Sequence, residues 1–447
     1  GKATGRDTFT SYRAGTYRME DMLNTLRPEL DAVADVTAVQ FGNAGSSGYS
    51  MEQFHALTLE VEKQLKTADA VVVTTGTDTQ EEFAYWLDLT VRSRKPVVTS
   101  GSMRPWGSGA GPDSSLVFGT DAPANLYNAI KVAASQQTFC FGTVLMLNDE
   151  IQAAREVTKS NSYRTDTFQT REYGVLGWID GDNVTLGRAP ARVLACDTEE
   201  WFTPFDLAKV DAKTLPRVEI LMSYQQAGGE AVTAFANAGV QGIVTAGTGA
   251  GGISSAMSQA RTAAVRDKGV WFVSTTRTGS GSSYGGGNGI IAGGDLTAVK
   301  ARLLLLLSRA FTDDFATAQA GSRHSATRRS TSPRRRPRSA PSRLDDGPLL
   351  RHRDAVVQGR GQAALADGVR DERGHGADRR VRADSGGRAH VLGGPRRGVG
   401  REDARREGQD ARRGRDHARR DEGRRRAGRA DGDDRRLPGD GMPLTSP

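Results

Sequence analysis

A short apolar run that ends abruptly in polar residues is the feature that most limits the fold. Residues 70–75, AVVVTT, resemble a strand buried on both faces of a parallel sheet. The run leads through Gly76-Thr77-Asp78 into helix-like sequence, which opens with the capping-box pattern TQEE at 79–82. Ligands of open parallel sheets bind beyond the carboxyl ends of the strands, so this junction is a candidate site.

Helix and strand patterns alternate around this junction. Before it, the capping box SMEQ at 50–53 precedes apolar residues at helical spacing, which predicts a helix over about 51–66. After it, Phe83, Trp86 and Leu87 continue an amphipathic helix, and 96–99 reads as the next strand. This order predicts a doubly wound α/β domain.

The alternation repeats further along the chain. The predicted strands are 218–222, 242–245 and 270–275, and the predicted helices are 229–238, 254–267 and 296–310. We therefore predict α/β architecture with two doubly wound domains, a larger N-terminal one at 1–190 and a smaller C-terminal one at 214–320, joined by a linker at 191–213.

Residues 321–447 have a different composition. Beyond Gly321 there are 33 Arg and 19 acidic residues, a net charge of +14, whereas residues 1–320 carry −6. This segment lacks Phe, Tyr, Trp, Ile, Asn and Lys, so we expect an Arg-rich disordered tail. Arg-rich arms can bind nucleic acid, but mixed charges without aromatic residues argue against a specific nucleic-acid partner. The missing residue types are those encoded by AT-rich codons, which indicates a GC-rich stretch translated out of frame.

Cysteine and histidine usage argues against several kinds of site. Cys140 and Cys196 have no CxxC partner, which predicts neither a metal site nor a disulfide framework. His55 is the one histidine before the tail, so a histidine-based relay or zinc site is not expected.

No apolar run reaches membrane-spanning length. The chain opens on Gly1 without a signal peptide, so we interpret it as a fragment whose start lies upstream.

The junction offers groups suited to an amino-acid ligand. Gly76 allows close approach of the backbone, and the following helix N-terminus favours negative charge. Asp78 can pair with an ammonium group, while Thr77 needs a base before it can act as a nucleophile. Alternatively, Thr79 is simply an N-cap and Asp78 complements the helix dipole.

A family resemblance bears on this choice. GTDTQEEFAYWLDLTVRSRKPVVTSGSMRP at 76–105 closely resembles a signature of the bacterial-type (type II-like) L-asparaginase and glutaminase-asparaginase family. Further similar segments are SYRAG at 11–15, NAGSS at 43–47, PANLYNA at 123–129 and LNDEIQAAREVTKSNS at 147–162. The resemblance covers roughly residues 1–315 and implies an amidohydrolase that releases ammonia from asparagine, and often from glutamine, without a cofactor or metal.

The resemblance also implies roles for individual residues. Thr77, Lys159 and Asp78 match the family's Thr-Lys-Asp group, with Lys159 as the base and Asp78 holding the substrate ammonium. Among the substrate-binding positions, which include Gly76 and Asp78, Ser46 matches the serine that binds the α-carboxylate. Ser47 stands where the family often has Gln. Tyr12 matches a lid tyrosine that assists the nucleophile.

The chain also departs from the family pattern. The family's primary nucleophile is a Thr in a GGTIAG-type turn, which falls upstream of Gly1 together with the first strand, so we expect impaired turnover. The segment 106–122, WGSGAGPDSSLVFGTDA, is longer than the usual loop. The substrate-side Asn falls on Gly252, and no acid occurs in 279–294, where a neighbouring subunit often lends one. The family further implies a homotetramer built as a dimer of dimers. Resemblance to its secreted members favours the periplasm or secretion, with the cytoplasm as the alternative.

Two competing functions remain. GTGAGG at 247–252 fits the G-x-G-x-x-G pattern of a dinucleotide site, although Asp267 precedes the next strand instead of ending it. The other alternative is an inactive homologue that binds amino acids.

Overall fold

Helices and strands alternate over residues 1–319, the part of the chain that this computed structural model describes. The helices are α1 (Met19–Asn24), α2 (Met51–Gln64), α3 (Gln80–Thr90), α4 (Ala122–Ala134), α5 (Glu230–Asn237), α6 (Ser255–Lys268) and α7 (Ala298–Phe311). The strands are β1 (Lys2–Ala3), β2 (Tyr12–Arg13), β3 (Val71–Thr74), β4 (Val97–Ser100), β5 (Thr143–Leu147), β6 (Glu150–Ala153), β7 (Thr158–Lys159), β8 (Phe168–Gln169), β9 (Gly177–Asp180), β10 (Asn183–Leu186), β11 (Val218–Met222), β12 (Gly242–Gly247), β13 (Trp271–Thr276) and β14 (Ile290–Ala292). The predicted tail at 321–447 lies outside the described residues.

The N-terminal sheet is mixed. Its strand order is β10-β9-β6-β5-β4-β3, and β3, β4 and β5 run parallel while the remaining neighbours are antiparallel. Val97 of β4 packs in one cluster with Trp86 of α3, and Val98 packs in another with Ala129 of α4. Because successive side chains of a strand point to opposite faces, α3 and α4 cover the two faces of the sheet.

The two predicted capping boxes have different outcomes. Before α2, Ser50 accepts from the Gln53 backbone and the Gln53 side chain accepts from the Ser50 backbone, so that capping box is confirmed. Before α3, the side chain of Thr79 makes no capping hydrogen bond, and the capping box predicted at 79–82 is wrong. Thr79 adopts φ −123° and ψ 21°, outside the extended conformation typical of an N-cap.

The C-terminal sheet is parallel throughout, in the order β11-β12-β13-β14. Its helix α7 packs against β11, β12 and β13 and also against α3 of the N-terminal part. Leu304 and Leu306 of α7 therefore share a hydrophobic cluster with Trp86 of α3. The two α/β parts predicted from the sequence are present, and one core spans both.

A disulfide bond joins Cys140 and Cys196, which corrects the expectation that the cysteines are unpaired. Their Cα atoms are 5.7 Å apart although 56 positions separate them in sequence. This bond ties the turn before β5 to the segment after β10. His55 of α2 adds a second attachment to the segment after β10, because its Nε2 lies 2.9 Å from the carbonyl oxygen of Val210.

Along residues 1–319, no helix combines the length and apolar character needed to cross a bilayer.

Candidate active site

The loop between β3 and α3 holds the residues singled out from the sequence. Thr77 is buried, with 7% of its surface exposed, whereas the Asp78 side chain is 66% exposed. Gly76 packs tightly against Ser46, since a Cβ at position 76 would lie 3.1 Å from Ser46 Oγ and 3.2 Å from its backbone nitrogen. A side chain at this position would press on Ser46, which would have to shift by a few tenths of an ångström.

Lys159 reaches this loop from β7. Its Nζ donates to Thr77 Oγ1 over 3.0 Å and lies 3.0 Å from Asp78 Oδ1. The Lys159 side chain is largely buried, which makes these contacts stronger than an exposed pair would be. The structure thus brings Lys159 to Thr77 and Asp78, which lie 82 and 81 positions earlier in sequence.

Glu81, which the sequence reasoning missed, holds Lys159 in place. Its Oε1 accepts from Thr158 Oγ1 over 3.1 Å and from the Lys159 backbone N–H over 3.3 Å. Glu81 lies in the first turn of α3, so it fixes β7 directly to the helix that follows Thr77 and Asp78. An acidic residue in a first helical turn usually complements the dipole, which is why its sequence position did not reveal this contact.

Of the two predicted serines, the structure brings one into the junction. Ser46 is buried, and its Oγ accepts from the Thr79 backbone N–H over 3.2 Å. Ser46 therefore accepts from the Thr79 backbone donor, which the Glu82 side chain would take in a capping box. Ser47 is solvent-exposed on the same turn, Ser46–Gly48.

Tyr12 lies close to the site on the N-terminal hairpin of β1 and β2. Its side chain is 47% exposed, and partial burial, together with the negative charge of Asp78, raises the pKa of its hydroxyl above the ordinary value.

Comparison with known protein families agrees with this arrangement. Residues 4–192 match the family described as asparaginase, N-terminal, and residues 217–320 match the glutaminase/asparaginase C-terminal domain. The chain belongs to the bacterial L-asparaginase family. As such, it is an amidohydrolase of the asparaginase type, which confirms the resemblance noted in its sequence.

Individual relatives of this asparaginase are similar over most of their length. L-asparaginase 2 of Bacillus subtilis is 37% identical over 321 residues, covering 70% of this chain and 80% of the relative. A probable periplasmic L-asparaginase of Haemophilus influenzae is 35% identical, covering 68% and 84%. The crystal structure of a probable cytoplasmic L-asparaginase from Campylobacter jejuni superposes with a TM-score of 0.61 at 32% identity, covering 68% of this chain and 95% of that one.

A buried lysine from the C-terminal part of the asparaginase supports the loop before Lys159. Lys300 of α7 donates to the carbonyl oxygens of Ala154 over 2.9 Å and Arg155 over 3.0 Å, and also to that of Val157. Burial lowers the pKa of Lys300 to about 8. The sequence reasoning missed it because a single lysine in the apolar run of α7 reads as an exposed position.

The glycine-rich motif of this asparaginase is not arranged as in a dinucleotide site. GTGAGG spans the end of β12 and precedes α6, as the pattern requires. Asp267, however, lies within α6 and pairs with Arg266 over 2.6 Å, whereas the next strand, β13, ends at Thr276. The acid expected at the ribose is therefore not at the strand end.

Proposed function

We propose that this asparaginase hydrolyses L-asparagine, and L-glutamine as a second substrate, to the corresponding acidic amino acid and ammonia. The observation that carries the proposal is the position of Lys159 Nζ, 3.0 Å from both Thr77 Oγ1 and Asp78 Oδ1. An activated threonine requires a hydroxyl, a base that takes its proton and a third group that orients the base. Thr77, Lys159 and Asp78 supply these three groups.

Substrate binding follows from the charges at the junction. Asp78 is the exposed carboxylate, so it receives the α-ammonium of the substrate. The α-carboxylate lies toward Ser46 and the N-terminus of α3, where backbone N–H groups favour negative charge. An ammonium that reaches Asp78 competes with Lys159 for this carboxylate, which frees Lys159 Nζ to act on Thr77.

The chemistry is acyl transfer through a threonine. A threonine hydroxyl attacks the side-chain amide carbon, and its proton passes to the amide nitrogen, which leaves as ammonia. Water then attacks the resulting ester, the carboxylate is released and the hydroxyl recovers a proton. Thr77 and Lys159 carry the proton in this scheme, while the family resemblance assigns the first attack to a threonine upstream of Gly1.

This division of roles is tested by extending the chain upstream with a strand and a TGGTIA segment. We expect residues 1–447 alone to release almost no ammonia from asparagine, because groups that act as one unit lose several orders of magnitude in rate when one is removed. The extended chain recovers activity, and the same extension with its Thr changed to Ala restores folding without turnover. If residues 1–447 hydrolyse asparagine at the rate of the extended chain, Thr77 or a water activated by Lys159 is the nucleophile.

A second candidate function is amino-acid binding without hydrolysis. Asp78 and Ser46 supply groups for an ammonium and a carboxylate independently of any nucleophile. Calorimetric binding of aspartate by the extended chain, with no ammonia released from asparagine or glutamine, would favour this function over the hydrolase.

We further propose that the protein works in an oxidising compartment, the periplasm or the exterior, as a homotetramer. The Cys140–Cys196 bond supports the compartment, since cytosolic proteins rarely keep structural disulfides. Thiol trapping of protein from cell fractions tests the redox state, and light scattering tests the tetramer. Reduced cysteines in the native protein would contradict the compartment.

A further inference from the structure

The segment 106–122, longer than the usual family loop, folds into a hairpin-like loop with its own anchor. Within it, Ser108 N–H donates to the Ser115 carbonyl over 2.8 Å, and Val117 N–H donates to the Trp106 carbonyl over 3.2 Å. The Trp106 side chain is buried, and its Nε1 donates to the carbonyl of Pro112 over 2.9 Å. The loop therefore has a defined shape of its own.

This loop pairs with the strand that carries the Tyr12 hairpin. Ala3 N–H donates to the Gly107 carbonyl over 2.8 Å, and Trp106 N–H donates to the Gly1 carbonyl over 3.1 Å. Ala3 is at the same time the partner of Tyr12 across the hairpin. The backbone of β1 thus lies between the loop on one side and the strand with Tyr12 on the other.

The tip of the hairpin is attached by a second set of contacts. Phe118 N–H donates to the Arg6 carbonyl over 2.8 Å, and Arg6 Nε donates to the Leu116 carbonyl over 3.1 Å. The Arg6 guanidinium lies over the Phe118 ring, 4.7 Å from its centroid. A second such contact places Arg104 over the ring of Phe9, at 4.9 Å.

We propose that the 106–122 loop is a positioning element that holds the Tyr12 hairpin in place before substrate arrives. The inference rests on the proposed role of Tyr12 as a lid residue. Ordering a mobile lid when substrate binds costs free energy, and a lid that is already ordered avoids that cost. Contacts that order the lid therefore raise substrate affinity even when they lie far from the substrate. Arg6 and Phe118 act through the hairpin and touch no substrate atom.

The test measures hydrogen exchange of residues 1–17 and calorimetric aspartate affinity in chain 1–447. We expect Phe118→Ala to speed exchange of the hairpin amides and to weaken aspartate binding by about two- to fivefold, as expected for losing one exposed charge–aromatic contact. Arg6→Ala should do both by about tenfold, because it loses that contact and a hydrogen bond. Phe118→Tyr keeps an aromatic face and should match the parent. Phe139→Ala is the matched control, because Phe139 is 46% exposed and Phe118 54%.

The outcomes separate this inference from the role of Tyr12. Unchanged hairpin exchange in Phe118→Ala and Arg6→Ala would overturn the inference. A second result would also overturn it: Phe118→Ala and Arg6→Ala speed hairpin exchange but leave aspartate affinity unchanged, while Tyr12→Ala weakens aspartate binding. The hairpin would then close over the substrate without help from the loop. If Tyr12→Ala also leaves affinity unchanged, the lid role of Tyr12 is wrong, while faster exchange in Phe118→Ala still shows that the loop holds the hairpin.

Discussion

Lys300, on the last helix, donates a 2.9 Å hydrogen bond to the carbonyl oxygen of Ala154, five residues before Lys159. The position of the amine in the N-terminal part thus depends on an ammonium group in the C-terminal part. Lys300 adds to the contacts that the N-terminal part makes with the loop at 154–157, so we expect separate expression of the N-terminal domain to leave this loop less well held.

Replacing Lys300 with Met keeps the length of the side chain and removes its three hydrogen-bond donors. Buried carbonyl groups without donors are costly, so we expect the free energy of unfolding to fall by about 2 to 4 kcal/mol. Aspartate binding should also weaken as the Lys159 loop loosens. Urea unfolding and calorimetry measure the two effects. Lys63→Met, at an exposed lysine paired with Glu60, is the control and should change neither by more than about 0.5 kcal/mol.

Changing Asp78 to Ala or Asn should separate ligand binding from stability. Loss of one partner of a desolvated charge pair costs about 2 to 5 kcal/mol, so aspartate affinity should fall sharply. The unfolding free energy should change by less than about 1 kcal/mol, because Asp78 is mostly exposed in the ligand-free site. Equal aspartate affinity in parent and mutant would leave Asp78 only its helix-dipole role.

The Arg155–Asp295 pair should make stability depend on acid pH. Burial acts to raise the pKa of Asp295, but hydrogen bonds from Arg155 and Tyr173 and the charge of Arg155 together hold it below its ordinary value of 3.8. The stabilising contribution is therefore complete above that ordinary value and is lost as pH falls through the lowered one.

Asp295→Asn tests this pair. The variant should be less stable than the parent by about 3 kcal/mol at pH 7, since it leaves a largely buried guanidinium without its carboxylate. The difference should shrink as the pH falls from 3.8 toward the lowered pKa of the folded state, because the carboxylate of the unfolded chain becomes neutral first and that of the folded parent follows. A difference that stays constant down to pH 2 in urea titrations would show that the pair does not titrate with folding.

The double change Cys140→Ser with Cys196→Ser should lower the unfolding free energy by about 2 to 4 kcal/mol, because the bond closes a loop of 56 residues in the unfolded chain. Reductant should lower the urea midpoint of the parent to a similar extent and leave the double variant unchanged. A parent midpoint that does not respond to reductant, once thiol titration shows the bond is open, would mean that the bond adds no stability.

Local patterns predicted much of the fold. The Ser50 capping box and apolar spacing located α2, and the β-branched run located β3, because these signals lie within a few neighbouring residues. The antiparallel strands β6, β9 and β10 were not predicted. They are four residues long each and have no helix between them to mark their boundaries.

The site could be predicted only in part. Thr77 and Asp78 were located by the strand–helix junction, whereas Lys159 was found through a resemblance, and the contact between them depends on the pairing of distant segments. Glu81, Lys300 and the Cys140–Cys196 bond were missed for the same physical reason, since each acts on residues 56 to 146 positions away. Periodicity within one helix or strand carries no information about such contacts.

The hydroxyl of Ser46 accepts the first backbone donor of the turn that begins α3, from 33 positions upstream. Within the turn, the Thr79 carbonyl accepts from the backbone N–H groups of Glu82 and Phe83, so the Ser46 bond is the long-range attachment of this turn. The start of α3 is therefore tied to a segment that precedes β3. The loop that carries Thr77 and Asp78 depends for its position on chain that comes before its own strand.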